Sequence, residues 1–492
     1  MSATAAHESF SKRSALSGSM YLDGSFSEAS GELVEVLDPS TEEVIAGLTA
    51  ATAQDVTLAL QAAQRAQPEW AAAGSVARGA HLRELADLIH AHRGRLAELL
   101  VAEMGKPLSK ADEELGFAEG LVRHAAEWDR RLEGEVLPGE SGGESIHLLR
   151  APLGVVAAIC PWNFPLAVLC RKLAPALLTG NTMVAKPSEV SPLSAIELFR
   201  LIDEHLDLPK GVLNLVCGAG QTGAELVRSP ITAMVSFTGH RNTGKAIMAQ
   251  ASQNLTRVAL ELGGKAPAIV WRDADLDLAV PALVQARYSN SGQTCTSAER
   301  VLVHSDLIEE FTDRYVTAAS ELVLGAPIGE VDMGPLANAA QLEKASAAVE
   351  RAVEQGARVL TGGERPPGED FARGYWLSPT VLGDVRPGMD VMIEETFGPV
   401  APIVGIDSLA DTITIANDSR YGLSAYLFSR DYQTIMRTVE ELQFGEIFIN
   451  RSLGESIHAH HSGYKESGIG GEDGKWGLTR YTQIKAAYHR YG

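Results

Sequence analysis

Apolar residues recur three and four positions apart through "AQDVTLALQAAQRAQPEW", "RGAHLRELADLIHAHRGRLAELLVAEMG" and "KADEELGFAEGLVRHAAEWDRRLEG". That spacing predicts a run of helices over residues 52–130. From Gly154 the pattern changes. Short continuous apolar runs, "GVVAAIC", "TMVAK", "VLNLVC" and "AMVSFTG", predict buried strands, and "LAVLCRKLAPALLTG", "SAIELFRLIDEHL" and "GKAIMAQASQ" between or after them predict helices. Alternation of this kind predicts βαβ units around a parallel sheet. A second such series follows "VALELGGKAPAIV" and runs through "ERVLVHSDLIEEFTDRYVTAASELV", "EKASAAVERAVEQGARVLTGG" and "TITIANDSRYGLSAYLFS". Two α/β units side by side place ligands where their strand ends meet. The closing "LTRYTQIKAAYHRY" is aromatic and basic, suited either to pairing with another subunit or to a solvated terminus.

Length and composition narrow the picture. A chain of 492 residues suggests two or three domains, and 45% hydrophobic content describes a soluble globular protein. No apolar run approaches the ~18 residues a membrane span needs. The start, "MSATAAHESFSKRSALSGSMYLDG", has no apolar stretch of secretory type and reads as a polar tail, Ser-rich but poor in Arg for a transit peptide. A net charge of −21 argues against nucleic acid or an anionic membrane as partner. The four cysteines, Cys160, Cys170, Cys217 and Cys295, have no paired spacing, so neither a metal site nor a disulfide framework is expected, and a cytoplasmic, reducing location follows.

Three of those cysteines sit in apolar strand or helix patterns, where a small buried hydrophobe is the usual role. Cys295 differs, lying in the polar, glycine-containing turn "NSGQTC" with no histidine nearby in sequence. In "CPWNFP", two prolines bracket Asn163 just past a strand end, which suits either a capping residue or an amide aimed at a developing oxyanion. "ALELGGK" sets Glu261 before Gly263 and Gly264, a carboxylate placed to act as general base or simply to sit in a turn. Lys186 and Glu189 in "AKPSE" suit ribose hydroxyls, and Gly239 and Gly244 in "FTGHRNTGK" mark a strand-to-helix turn where a pyrophosphate can meet helix N–H groups.

Together and in order, "PWNFP", "KPSE", "FTG", "ELGGK", "GQTC", "EETFGPV" and "KESGIGG" resemble the aldehyde dehydrogenase superfamily over nearly the whole chain. The likeness is closest to bacterial lactaldehyde and glycolaldehyde dehydrogenases, through "APALLTGNT", "ELGGKAPAIV" and "IGGEDGKWGL". The resemblance implies an α/β aldehyde dehydrogenase fold: a Rossmann-like NAD-binding domain (1–130 and 154–262), a catalytic α/β domain (263–463) and a small β oligomerisation arm (131–153 and 479–492). A homodimer or homotetramer follows from it, since such an arm leaves sheet edges that need partners.

The same resemblance assigns chemistry. Cys295 would attack an aldehyde carbonyl to give a thiohemiacetal and then a thioester, with the oxyanion held by the Asn163 amide and the Cys295 backbone N–H. Glu261 would activate the hydrolytic water and, through water, could also take the thiol proton, without need of a histidine, and Glu472 would play a structural or supporting part. For the cofactor it implies Lys186 and Glu189 on the adenosine ribose, Trp162 with Gly239 near the pyrophosphate, and Glu395 with Phe397 at the nicotinamide ribose, with Gly244 and Leu262 also in the cofactor site. Glu189 would disfavour a 2′-phosphate, so NAD is expected over NADP. Arg171, Glu455 and His461 match pocket positions that contact small polar hydroxyaldehydes. The chain departs from its relatives at His240, usually a small Ser, and at Thr296, where the lactaldehyde enzymes can carry Asn. Rival readings are a semialdehyde dehydrogenase with Arg171 as an anion clamp, a CoA-acylating enzyme, against which Glu261 speaks, and a silent binding protein on the same fold.

Overall fold

The computed structural model describes residues 18–492; of the polar N-terminal stretch, the first 17 residues lie outside the described residues. Four helices, Ala53–Ala72, Ser75–Ala91, Arg93–Met104 and Leu108–Ala126, follow the periodicity expected over 52–130. The first starts at a reciprocal cap, Thr52 with Asp55.

Behind them lies an eight-stranded sheet. Its order is Gly468–Ile469, Arg257–Glu261, Thr232–Thr238, Val155–Ile159, Thr182–Lys186, Leu213–Val216, Met20–Leu22 and Ser25–Ser27. The middle five strands are parallel. Val156, Ala158 and Cys160 pack into one apolar core and Val155, Ala157 and Ile159 into another. Burial on both faces is why this segment is a continuous apolar run and does not alternate with polar residues. From Val155–Ile159 the chain proceeds to neighbours on one side, then crosses to Thr232–Thr238 on the other. Such a switch in strand order opens a crevice at the strand ends.

A second, seven-stranded sheet runs Arg358–Thr361, Thr380–Gly383, Val400–Ile406, Ala298–His304, Ala266–Val270, Ser424–Phe428 and Glu446–Ile449, all parallel except the first. It too has a core on each face. Glu135–Pro138, Glu144–Pro152 and the C-terminal Thr482–Arg490 form a separate three-stranded antiparallel sheet, so the aromatic and basic tail is a strand. The pattern reading omits the short strands between Met20 and Thr49 and the helix Gly220–Arg228. Met20–Leu22 is held by pairing with Leu213–Val216, a partner remote in sequence. Among the described residues no helix is long and apolar enough to cross a membrane.

Candidate active site

The chain leaves the strand Val155–Ile159 through Pro161–Trp162–Asn163 and enters the helix Pro165–Leu178 with proline at its first turn. Two buried groups from the helical layer fix this entrance. Glu114 accepts from the N–H groups of Leu166 (2.9 Å) and Ala167 (3.1 Å), supplying the cap that Phe164 cannot. Lys106 pairs with Glu114, donates to the Asn163 carbonyl at 2.8 Å and lies 4.2 Å from the Phe164 ring centroid. The Asn163 side-chain N–H in turn donates to the Gln293 carbonyl at 3.0 Å, which locks "PWNFP" to the loop carrying Cys295. An amide has two such N–H donors, so one is left for another acceptor.

That loop is itself constrained. Asn290, Ser291 and Gly292 take positive φ of 52°, 58° and 73° in succession. Two non-glycine residues in this region cost energy that the surrounding contacts must repay. Asn290 donates to the Asn163 carbonyl, Ser291 to the Gly334 carbonyl at 2.8 Å, and the Gln293 side chain accepts from Ala337 N–H at 2.9 Å. Cys295 follows at the mouth of the strand Ala298–His304. It is the one cysteine not fully buried, while Cys160, Cys170 and Cys217 are core residues.

Glu261 ends the strand Arg257–Glu261, opposite Gly468. Its side chain is 2% exposed and neither carboxylate oxygen has a hydrogen-bond partner. Burial pushes this carboxyl up to about 8. The two glycines after it are sterically required: a Cβ on Gly263 would lie 2.4 Å from Glu395 Oε1, and one on Gly264 2.5 Å from the Cys295 carbonyl oxygen. Gly264 N–H donates to Glu395 at 2.8 Å. Next in sequence, Lys265 reaches Glu299 at 2.6 Å, and Glu299 accepts from the N–H groups of Thr396 and Phe397. Although burial opposes it, the Lys265 charge holds Glu299 down at about 2. Phe397, at φ 54°, then meets the Trp162 ring edge-on, with centroids 5.4 Å apart.

One cavity of about 370 Å³ collects these segments. Cys295, Asn163 and Glu261 line it, as do Trp162, Gly239, Leu262, Glu395 and Phe397 on one side and Arg171, Glu455 and His461 on the other. Lys186, Glu189 and Gly244 are not in its walls. Lys186 and Glu189 pair at 3.6 Å past the adjacent strand end, and Gly244 makes room for Leu262, which a Cβ there would approach to 2.7 Å. His240 caps the helix Arg241–Ala251, its Nδ1 accepting from Asn242 N–H at 3.3 Å; burial keeps the imidazole below the usual histidine range, as an accepting, neutral ring requires. The crevice at the switch in strand order, this helix start beside it and the buried, unpartnered Thr238 hydroxyl facing the cavity fit a dinucleotide.

The far end of the cavity is a network of charges. Arg171 binds Asp473 with two hydrogen bonds, at 3.0 and 2.9 Å, and lies 3.5 Å from Glu455. Burial works against the guanidinium charge, but the two carboxylates outweigh it. Burial also pushes the Asp473 carboxyl up; the bidentate pairing is the stronger argument for an ion pair here. Glu455 is held below the usual carboxylate range, His461 and Arg171 outweighing its burial. Lys172 meets Glu472 at 2.5 Å beneath the cavity. His461 is anchored by reciprocal backbone hydrogen bonds with Glu472, and its Nδ1 lies 3.2 Å from Oε2 of Glu446. Lys106, Glu114, Lys172, Lys265, Glu299 and Glu446 escape the sequence reading; the one signal available was a charged residue set on an otherwise apolar helix face, as with Glu114.

The sequence model of the "Aldehyde dehydrogenase family" matches residues 26–487. Lactaldehyde dehydrogenase of Escherichia coli (strain K12) is 46% identical over 95% of this chain and 98% of its own, and a crystal structure of the E. coli enzyme superposes with a TM-score of 0.94 at 45% identity, covering 96% of this chain and 99% of that one. Glutarate-semialdehyde dehydrogenase of Pseudomonas aeruginosa is 37% identical over 94% of this chain and 96% of its own. Betaine aldehyde dehydrogenase of Staphylococcus aureus, solved in complex with NAD+, matches with a TM-score of 0.96 at 34% identity, over 99% of this chain and 97% of that one. With this fold, this cavity and a match across almost its full length, the chain belongs to the aldehyde dehydrogenase family and is an oxidoreductase that oxidises aldehydes.

Proposed function

We propose that the enzyme uses NAD to oxidise a small, uncharged hydroxyaldehyde of the lactaldehyde or glycolaldehyde type to its acid. The observation that carries the choice of substrate is the state of Arg171. Its guanidinium is already bound by Asp473 and approached by Glu455, so it has no free fork to offer an anionic aldehyde. Glu455 and His461, in contrast, present polar atoms to the cavity that a substrate hydroxyl can satisfy. Leaving such buried groups unpaired costs about 1–3 kcal/mol each, which selects against apolar aldehydes.

In this reading Cys295 forms a bond to the aldehyde carbon, and the Asn163 amide and the Cys295 N–H stabilise the oxyanion. NAD, when bound, accepts the hydride. Trp162, Gly239, Gly244, Leu262, Lys186, Glu189, Glu395 and Phe397 would hold it, with Glu189 disfavouring a 2′-phosphate. Glu261 takes a proton from the water that cleaves the thioester, a task its unpartnered oxygens support. We further assign residues 1–130 and 154–262 to the NAD-binding domain, 263–463 to the catalytic domain, and 131–153 with 479–492 to an arm that joins subunits into a dimer or tetramer. Free thiols at all four cysteines suit the cytoplasm.

The test is NAD reduction with glycolaldehyde, L-lactaldehyde, propanal, succinate semialdehyde and benzaldehyde, compared by kcat/KM. The hydroxyaldehydes should lead by about tenfold or more. A lead for succinate semialdehyde would mean that Arg171 does act as an anion clamp, the reading that the glutarate-semialdehyde relative favours. Cys295→Ala should abolish turnover with every aldehyde.

A further inference from the structure

Asp473 stands directly before the helix Gly474–Arg480, a position where an aspartate usually turns its carboxylate onto the helix N–H groups. Here the side chain makes no such cap. Both of its oxygens go to Arg171 instead, accepting from Nε at 3.0 Å and from Nη2 at 2.9 Å. The Asp473 backbone has φ 64° and ψ 163°, a region open almost only to glycine. Flanking hydrogen bonds hold it there, from Gly474 N–H to the Ile457 carbonyl at 3.0 Å and from Gly477 N–H to the Asp473 carbonyl at 2.8 Å. A glycine would take this conformation without strain. What the aspartate adds is a negative charge, on a side chain 1% exposed, against a guanidinium that is 9% exposed.

Arg171 and Glu455 line the cavity that holds Cys295, and Asp473 does not. Asp473 shares with Arg171 a separate void of about 30 Å³, bordered by Leu121, His124 and Ile457. The carboxylate therefore reaches the guanidinium from outside the substrate space. Resting on the reading of the far end of the cavity as the substrate pocket, we propose that Asp473 sets the charge class of aldehyde the enzyme accepts. It cancels the Arg171 charge and keeps the Nε–Nη2 edge turned away from the aldehyde. Without it, the same pocket takes an aldehyde that carries a distal carboxylate. Asp473 is a positioning residue; it touches neither substrate nor the reacting atoms.

The surrounding charges support this division of labour. Burial works against the guanidinium charge, and Asp473 is the largest of the charges that outweigh it, ahead of Glu455. Glu455, 3.5 Å from Nη2, is at ion-pair distance from the same group. The guanidinium also lies 5.3 Å from the Phe117 ring centroid, a contact that keeps it at the cavity when Asp473 is replaced. Removal of the Asp473 charge leaves a buried cation short of counter-charge, and a substrate carboxylate is the group that restores it.

The experiment compares wild type, Asp473→Asn and Asp473→Gly in NAD reduction with glycolaldehyde, succinate semialdehyde and propanal. Asparagine removes the charge and tolerates positive φ, while glycine also relieves the backbone and removes the acceptor. The ratio of kcat/KM for the semialdehyde to that for glycolaldehyde should rise by about tenfold or more in Asp473→Asn and further in Asp473→Gly. The gain should lie in a lower KM for the semialdehyde, with kcat close to wild type. Propanal, which has neither charge nor hydroxyl, should keep its kcat/KM within about threefold. A proportional fall with all three aldehydes would make Asp473 a structural tie between the helix Pro165–Leu178 and the C-terminal segment, and would overturn the proposal. An unchanged ratio would overturn it too, as would failure of both variants to fold. The wild-type ratio tests the hydroxyaldehyde reading by itself, so a wild type that prefers glycolaldehyde with variants that do not shift removes only the role of Asp473.

Discussion

Glu261 shows how one residue's environment writes both its chemistry and its cost. A carboxyl with no partner and almost no water is destabilised as an anion, hence its rise from 4.5 to about 8. Between those values the folded protein holds a proton that the unfolded chain has released. Stability contributed by this site therefore falls as pH rises through that window and does not recover above it. Glu261→Gln should remove the dependence and stabilise the enzyme by about 1–3 kcal/mol on the alkaline side, read from denaturation midpoints on either side of the window. In catalysis the sign reverses, because only the anion can act as base. Deacylation should speed up as pH rises toward about 8, and Glu261→Gln should keep the NADH burst while cutting steady turnover by about a hundredfold or more. Asn163→Ala should instead suppress the burst itself, by about 10²-fold, in stopped-flow absorbance.

Helices and loops in this protein are aimed by buried acids. Glu114, on the helix Leu108–Ala126, caps the helix that follows "PWNFP"; Glu103 does the same for Leu193–His205, accepting from the N–H groups of Leu193 and Ser194. Glu299 holds two N–H groups of the "EETFGPV" loop. Removing Glu114 takes away a cap and strands the buried Lys106 at once. Glu114→Ala should thus cost about 3–5 kcal/mol in a denaturation experiment, chiefly because Lys106 loses its counter-ion. Activity should fall further than the loss of folded protein explains, since Lys106 also holds the Asn163 backbone.

The three-stranded sheet stands apart from the two larger sheets and their cores. Tyr488 is 78% exposed, Val136 71%, Ile484 62% and Leu149 49%, so apolar side chains face outward from both of its surfaces. Exposed apolar faces of this kind mark interaction sites. Ile484→Asp combined with Val136→Asp should shift the enzyme to a smaller species in light scattering without altering its secondary structure. The net charge of −21 should keep that species soluble.

Periodicity was enough to place the helices over 52–130 and the alternating strands, because spacing of apolar residues is a local property that the backbone geometry reads directly. The motif residues were legible for the same reason: Pro161, Pro165, Gly263 and Gly264 act through their own backbones. Met20–Leu22 was not, since three residues become a strand only when a distant partner supplies the hydrogen bonds. Nor were Lys106, Glu114, Lys172, Lys265, Glu299 and Glu446, which look like solvated surface charges until packing removes the water and leaves them only each other. The sequence alone determined which groups are available for the chemistry. Whether Arg171 is free or neutralised, and whether Glu261 finds a partner, depended on segments far apart in the chain, and burial at their junction decided both.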